Sequence, residues 1–389
     1  MRITFLVRNI WGIGGTIKTT LNTTEALVSM GHDVTIVSCV RTKKRPDFAI
    51  DPRIKIISLW DVRSREKGGD RLSLLDRWRR RKPSYLDADK VNNMGESSKL
   101  LDTKVARFLR DLDTDVLVGT QVAVNLYMAE YGRPEKYLMV AQEHLYLDVY
   151  TDGVRRRIIA NYPKLDAIVT ITEADADVYR EALPDHADKV VFVPNAVPAS
   201  ANAPSELTEP VIMTAGRMTG MKGFDVLIKA FAQLADEFPE WKVKIFGRGR
   251  AKTFLNGLVM EHDLTGRVEL VSGVTALGEE WQKASIAAIP SRFEPFGLVI
   301  VEAMAAGVPV VCSAVKHGPL VLIDDEENGL LVEPEKPEVL AASLRRLMTD
   351  ASLRRKLADN AFATARHYEP SRVTGQHIEL FDKLLRARA

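Results

Sequence analysis

The feature that most constrains this chain is an alternation that runs through it twice. Short β-branched runs are followed by helical patterns, and each helical pattern by another short run. In the first half the spacing predicts strands at Ile3–Val7, Val34–Ser38, Val116–Gly119, Tyr137–Ala141, Ala167–Ile171 and Val190–Val193. Helices such as Thr19–Met30 and Glu173–Leu183 lie between them. Strands that are apolar along their length and joined by helical crossovers make a parallel sheet covered on both faces. From Pro194 to Pro210 the periodicity stops and proline, alanine, serine and asparagine dominate, as in a linker. It then resumes with strands at Val211–Ala215, Lys242–Phe246, Val268–Val271, Ile286–Ile289 and Pro309–Cys312. Helices are expected at Phe224–Phe238, Lys252–His262 and Leu298–Ala306.

The fold class is therefore α/β, with two Rossmann-like doubly wound domains facing across a cleft. Expected bounds are 1–200 and 201–365, followed by an amphipathic helix in 366–389. A chain of 389 residues suits two domains of that kind. Its 54 basic and 52 acidic side chains leave a net charge of +2, far from the basic excess of a dedicated nucleic-acid binder. The two cysteines, Cys39 and Cys312, sit in apolar runs and exclude a disulfide framework. The opening residues read as a strand rather than a signal peptide. The longest apolar run, Leu298 to Cys312, is interrupted by Glu302 and Pro309. The expectation is a cytoplasmic protein, peripheral at most to the inner face of a membrane.

Three loops at strand ends carry candidate chemistry. The first is Gly12-Ile-Gly-Gly-Thr16, which runs into a helix whose free amides and positive dipole end suit a phosphate. It is not the dinucleotide fingerprint, because Ile17 stands at the third glycine position, nor is the spacing to Lys18 that of a P-loop. The second loop, Gly216 to Gly223, offers Arg217 and Lys222 to one diphosphate, the first as a fork and the second as a point charge. The third, Ser291-Arg-Phe-Glu-Pro-Phe-Gly297, places Glu294 in a rigid loop where a carboxylate can accept from sugar hydroxyls. Glu302, one helical turn later among Val301, Ala303 and Met304, needs donors of the kind a ribose diol supplies.

Glu294-x7-Glu302 followed by Ala-Met-Ala-Ala-Gly-Val-Pro-Val resembles the signature of the retaining GT-B glycosyltransferases of family GT4. The likeness extends to the Gly14-Gly15 loop, the Gly216-Arg217…Lys222-Gly223 loop, Phe246-Gly-x-Gly249 and Asn328 to Pro334. It implies transfer of a hexose-type sugar from a UDP- or GDP-linked donor to an acceptor hydroxyl, with retention of configuration. In that reading Glu294 holds donor-sugar hydroxyls and the amides of Phe296, Gly297 and Leu298 lie near sugar or phosphate. Glu302 takes the ribose, while Arg217 and Lys222 neutralise the departing diphosphate, so neither metal nor cofactor is expected. Gly14 and Gly15 meet the distal phosphate. Gly247, Gly249, Ser272 and Gly273 lie near the base. His144, in Gln142-Glu-His144, matches a family histidine close to the anomeric carbon.

Two departures bear on the acceptor. Thr16-Ile17-Lys18 stands where many relatives carry an acidic residue, so Thr16 and Lys18 become acceptor-side candidates. In Ser313-Ala-Val-Lys-His-Gly-Pro319, Lys316 and His317 read as surface residues. The stretch Arg63 to Lys82 holds nine basic residues against three acidic ones, beside Trp78. Arg79, Arg80 and Arg81 could collect an anionic acceptor polymer or lipid, although a solvated insertion is the plainer reading. The acceptor is a glycan, a lipid or a small molecule such as a natural product. Alternatives are a GT-B nucleotide-sugar epimerase and a non-catalytic nucleotide-sugar or glycan-binding protein.

Overall fold

The computed structural model describes residues 1–91, 97–199, 203–273 and 277–388. Two compact units emerge, Met1–Ala196 with Pro370–Ala389, and Val197–Glu369. The boundary expected at 200/201, with part of the proline-rich linker, lies outside the described residues. Among the described residues no helix is long and apolar enough to cross a membrane.

The first unit is built on a parallel sheet of β1 (Arg2–Val7), β2 (Asp33–Arg41), β3 (Lys55–Asp61), β4 (Val116–Gly119), β5 (Leu138–Gln142), β6 (Ala167–Thr170) and β7 (Val190–Phe192). Their spatial order is β3-β2-β1-β4-β5-β6-β7. Because side chains alternate along a strand, Leu6, Val37, Leu117, Met139 and Ile168 enter one apolar cluster. Their neighbours Phe5, Ile36, Val118, Val140 and Val169 enter another. Both clusters need cover. Val373 and Phe381 of the C-terminal helix, Pro370–Arg388, pack into the second cluster and are no more than 1% exposed.

The second unit repeats the plan with β8 (Val211–Ala215), β9 (Lys242–Phe246), β10 (Val268–Val271), β11 (Ile286–Ile289), β12 (Val310–Ser313) and β13 (Leu330–Val332). The order is β10-β9-β8-β11-β12-β13, again parallel. In each sheet the order reverses once, between β1 and β4 and between β8 and β11. Open α/β sheets bind ligands at such a reversal, beyond the carboxyl ends of the strands.

Several elements differ from the periodicity. The first helix spans Gly15–Ser29, starting before Thr19, with Gly14 as an extended N-cap that offers no side chain. Gly15, Thr16 and Lys18 thus belong to its first turn, where the sequence shows no apolar spacing. The helix expected to reach Phe238 ends at Ala232. Beyond it the amides of Gln233 and Leu234 bond carbonyls only three residues back, and Pro239 follows. β3 and β13 are strands beyond those expected.

The C-terminal helix is expected to contribute core rather than cover alone. Phe381→Ala should lower the stability of the first unit by about 3–5 kcal/mol, read as an earlier urea transition, with the transition of the second unit unmoved.

Candidate active site

β8 and β11 are neighbours, with Ile212 opposite Ile286 and Met213 opposite Ala287. The loops leaving their ends therefore meet. Lys222 Nζ donates to Glu294 Oε2, across 72 residues of sequence. Ser291 Oγ donates to the same oxygen over 3.3 Å. Glu294 is buried and Lys222 partly open, so one end of the pair still faces solvent. Arg217 is exposed on the same loop.

Backbone geometry fixes this meeting. Gly223, with φ +64, closes the turn and serves as N-cap of the helix Phe224–Ala232. A Cβ there would stand 1.8 Å from the Pro290 carbonyl oxygen, so only glycine allows the two loops this approach. Arg292 then locks them together. Its guanidinium forks onto both Asp225 oxygens at 2.8 Å, donates to Glu335 at 2.8 Å and to the Gly220 carbonyl at 2.6 Å. Its amide bonds the Met221 carbonyl at 2.9 Å. Burial would push the Asp225 carboxyl up, but Arg292 holds it below the usual range. Nothing in the spacing singled out Arg292, because its partner Asp225 lies 67 residues earlier, on the helix Phe224–Ala232.

The helix Leu298–Ala305 opens at Gly297 without a side-chain cap or an acidic residue in its first turn. The leading amides, including that of Leu298, are suited to an anion. Phe296 and Gly297 are buried just ahead of it, and Glu302 is half-buried within it. His317 corrects an expectation. Rather than a surface residue it is 3% exposed, at φ +75, immediately before the helix Gly318–Leu322. The next residue passes so close to the Phe296 carbonyl that a Cβ at Gly318 would be 2.2 Å from that oxygen. The amides of Gly216 and Met218 bond the carbonyls of Phe246 and Arg248 at 2.9 Å, which sets the Gly247–Gly249 loop beside the first. Ser272 Oγ donates to the Gly247 carbonyl at 3.1 Å, and Gly273 follows with φ +99.

In the first unit, β5 ends in Gln142 and continues as Glu143 and His144, which alternate between the two faces of the sheet. Glu143 enters the face of Tyr162 and Tyr179. Its Oε1 accepts from Asn125 Nδ2 at 2.8 Å and from Tyr162 OH, and its Oε2 from Tyr150 OH at 2.9 Å. Burial outweighs these donors and pushes the carboxyl up to about 7. Gln142 and His144 take the opposite face. There they line a cavity of about 10 Å³ with Thr19, Thr23, Asn195 and His377 of the C-terminal helix. Gln142 Nε2 lies 3.4 Å from His377 Nε2. Burial pushes both His144 and His377 down to about 4, with Asn195 pulling the first back up and the charge of His144 lowering the second further. Both are therefore neutral near pH 7. The sequence did carry a signal for His377, which falls four residues from Val373 and four from Phe381 on the buried stripe.

Of the acceptor-side candidates, Thr16 and Lys18 lie in the first turn of the helix Gly15–Ser29. Arg79, Arg80 and Arg81 lie on and just after a short helix, Leu74–Arg80. They do not act alike. Arg79 pairs with Asp76 at 3.8 Å, Arg80 stands 5.6 Å from the ring of buried Trp60, and Arg81 is exposed. Both cysteines are buried and free, and burial pushes the Cys39 thiol up to about 12.

The depressed histidines have a measurable sign. Folded chains bind fewer protons there than unfolded ones, so the stability they contribute is present above about 6.5 and is lost as pH falls towards 4. His377→Leu should flatten the fall of unfolding free energy between pH 6.5 and 4.5 by up to about 1.4 kcal/mol per pH unit, measured by urea titration at each pH.

Residues 171–364 match the family model of glycosyl transferases group 1. The chain is 32% identical over 393 residues to an exopolysaccharide phosphotransferase of Streptomyces coelicolor, an alignment that covers 100% of this chain and 41% of that one. It is 26% identical over 370 residues to an uncharacterized glycosyltransferase of Haemophilus influenzae, covering 94% and 96%. The fold is similar to that of a mutant of S. aureus TarM in complex with fondaparinux, alpha-GlcNAc-glycerol and UDP. For that pair the TM-score is 0.77 at 15% identity, over 98% of this chain and 100% of the other.

Proposed function

With residues 171–364 a glycosyl transferases group 1 domain and the two units those of a GT-B fold, we propose that this chain is a retaining glycosyltransferase. It moves a hexose-type sugar from a UDP- or GDP-linked donor to an acceptor hydroxyl on a cell-envelope polymer, a lipid or a natural product. The observation that carries the reading is the Lys222–Glu294 pair at the reversal between β8 and β11. It puts a cation for the leaving group and a carboxylate for the sugar side by side.

The donor is gripped by parts. Arg217 and Lys222 take the diphosphate, Glu302 the ribose diol, and Glu294 the sugar hydroxyls. The amides of Phe296, Gly297 and Leu298 lie along sugar and phosphate. Gly247, Gly249, Ser272 and Gly273 pass near the base. Within the first unit, the Gly14-Gly15 helix start is assigned to phosphate and neutral His144 to the sugar near its reacting carbon. Thr16 and Lys18 are assigned to the acceptor.

The reaction then needs little covalent chemistry from the protein. The bond from the anomeric carbon to the diphosphate breaks while the acceptor oxygen bonds the same face of that carbon. The acceptor proton passes to the departing phosphate oxygen. What the protein supplies is positioning and positive charge where negative charge grows. Two fixed cations can fill that role, so the transfer is read as metal-independent.

A nucleotide-sugar epimerase would need an acid and a base converging on the sugar. Glu143 carries a raised pKa beside His144, but it points to the opposite face of the strand and is held by three donors. Epimerisation of the donor, scored without acceptor, is what would move the reading there.

Lys222→Ala should depress kcat by about 10²–10³-fold, the loss expected for one preorganised donor, with a much smaller change in donor affinity. Near-normal turnover would remove Lys222 from the site, and abolition of wild-type activity by a chelator would contradict the metal-free reading. A calorimetric comparison separates the two glutamates. Glu302→Gln should weaken the bare nucleoside diphosphate, whereas Glu294→Gln should spare it and weaken only the sugar-bearing donor. Equal losses for both ligands would show these roles to be misassigned.

A further inference from the structure

The helix Leu74–Arg80 turns its apolar side chains outward. Leu74 is 83% exposed, Leu75 52% and Trp78 55%. At 3.6 residues per turn the three fall within about 100° of arc. Arg77 and Arg81 lie to one side of that arc and Lys82 follows the helix end, all exposed, with Lys82 Nζ 5.2 Å from the Trp78 ring. The inward side is polar instead. Asp76 accepts from Ser73 Oγ at 2.8 Å, Arg79 pairs with Asp76, and Arg80 reaches the ring of Trp60. An ordinary surface helix does the reverse, burying its apolar stripe and showing its charges.

We propose that this helix is a docking surface for an anionic lipid bilayer. Leu74, Leu75 and Trp78 enter the boundary between headgroups and acyl chains, while Arg77, Arg81 and Lys82 meet the lipid phosphates. Charge complementarity selects the partner: five cations stand against one carboxylate from Leu74 to Lys82. The leucines narrow it further. A soluble polyanion would satisfy the cations and leave Leu74 in water, whereas an anionic bilayer takes both. Stable attachment to a membrane surface requires two signals, and an apolar wedge with a basic border supplies them. The proposal goes beyond the sugar-transfer reading and stands or falls separately from it, because its test needs no turnover.

The 389-residue chain is sedimented with vesicles of phosphatidylcholine alone and of phosphatidylcholine with phosphatidylglycerol in equal parts. Binding is expected to the mixed vesicles only. Replacing Leu74, Leu75 and Trp78 together by serine should lower the partition constant about tenfold or more. Replacing Arg77, Arg81 and Lys82 by serine should do the same at low salt. All six side chains are exposed, so circular dichroism should be unchanged in both variants. Independently, brominated phosphatidylglycerol should quench wild-type tryptophan fluorescence, and Trp78→Phe should remove most of that quenching. No binding to mixed vesicles, or no quenching, overturns the proposal. So does full binding by the leucine–tryptophan variant when the cation variant has lost it, because charge alone then accounts for binding and the apolar wedge contributes nothing.

Discussion

The ion pair between Lys222 and Glu294 exists because β8 and β11 lie side by side, although six dozen residues separate the two partners. Parallel pairing brings the loops to one end of the sheet, and the fork of Arg292 on Asp225 sets the distance between them. The pair is not there for stability. Lys222 remains partly open to water, where such pairs contribute little. Glu294 is nearly buried, and a carboxylate so placed is costly without a cation. The arrangement makes sense as a charge held ready. Any anion that drew on Lys222 would leave Glu294 short of a donor.

The first unit solves a related problem with strand alternation. Gln142, Glu143 and His144 are consecutive, so they cannot all serve one site. Glu143 is spent on the core, where three hydrogen bonds from Asn125, Tyr150 and Tyr162 anchor the end of β5. His144 is thereby given a fixed starting point on the other face. Glu143 is held by the core, and His144 lines the cavity on the other face.

The fold was legible because an apolar strand with a helical crossover reads the same in any context. Each stretch that was misread lacks that signature. The first turn of the helix at Gly15 is built from residues with no apolar spacing, and β13 is three residues long. The site was half legible. Glycine loops at strand ends and the Glu294–Glu302 spacing are local patterns, visible in one line of sequence. Arg292 and Glu143 act through partners on other elements, and His377, although it falls on the buried stripe of its helix, meets Gln142 only in the fold. His317 was misjudged because it stands between Lys316 and Gly318 in a segment without apolar spacing, and its burial comes with the close passage of Gly318 past Phe296.

The division of the chain has a consequence in time. The second unit is an insertion: Val197 enters it, Glu369 leaves it, and the amide of Val197 bonds the carbonyl of Tyr368 at 2.8 Å, so entrance and exit lie together. A chain made from its N-terminus can therefore complete the second unit while the first still lacks Val373, His377 and Phe381. The unit begun earliest is finished last. The pocket around His144 closes only once His377 has joined it, so a chain cut short of Val373 carries a finished second unit beside an unsealed histidine.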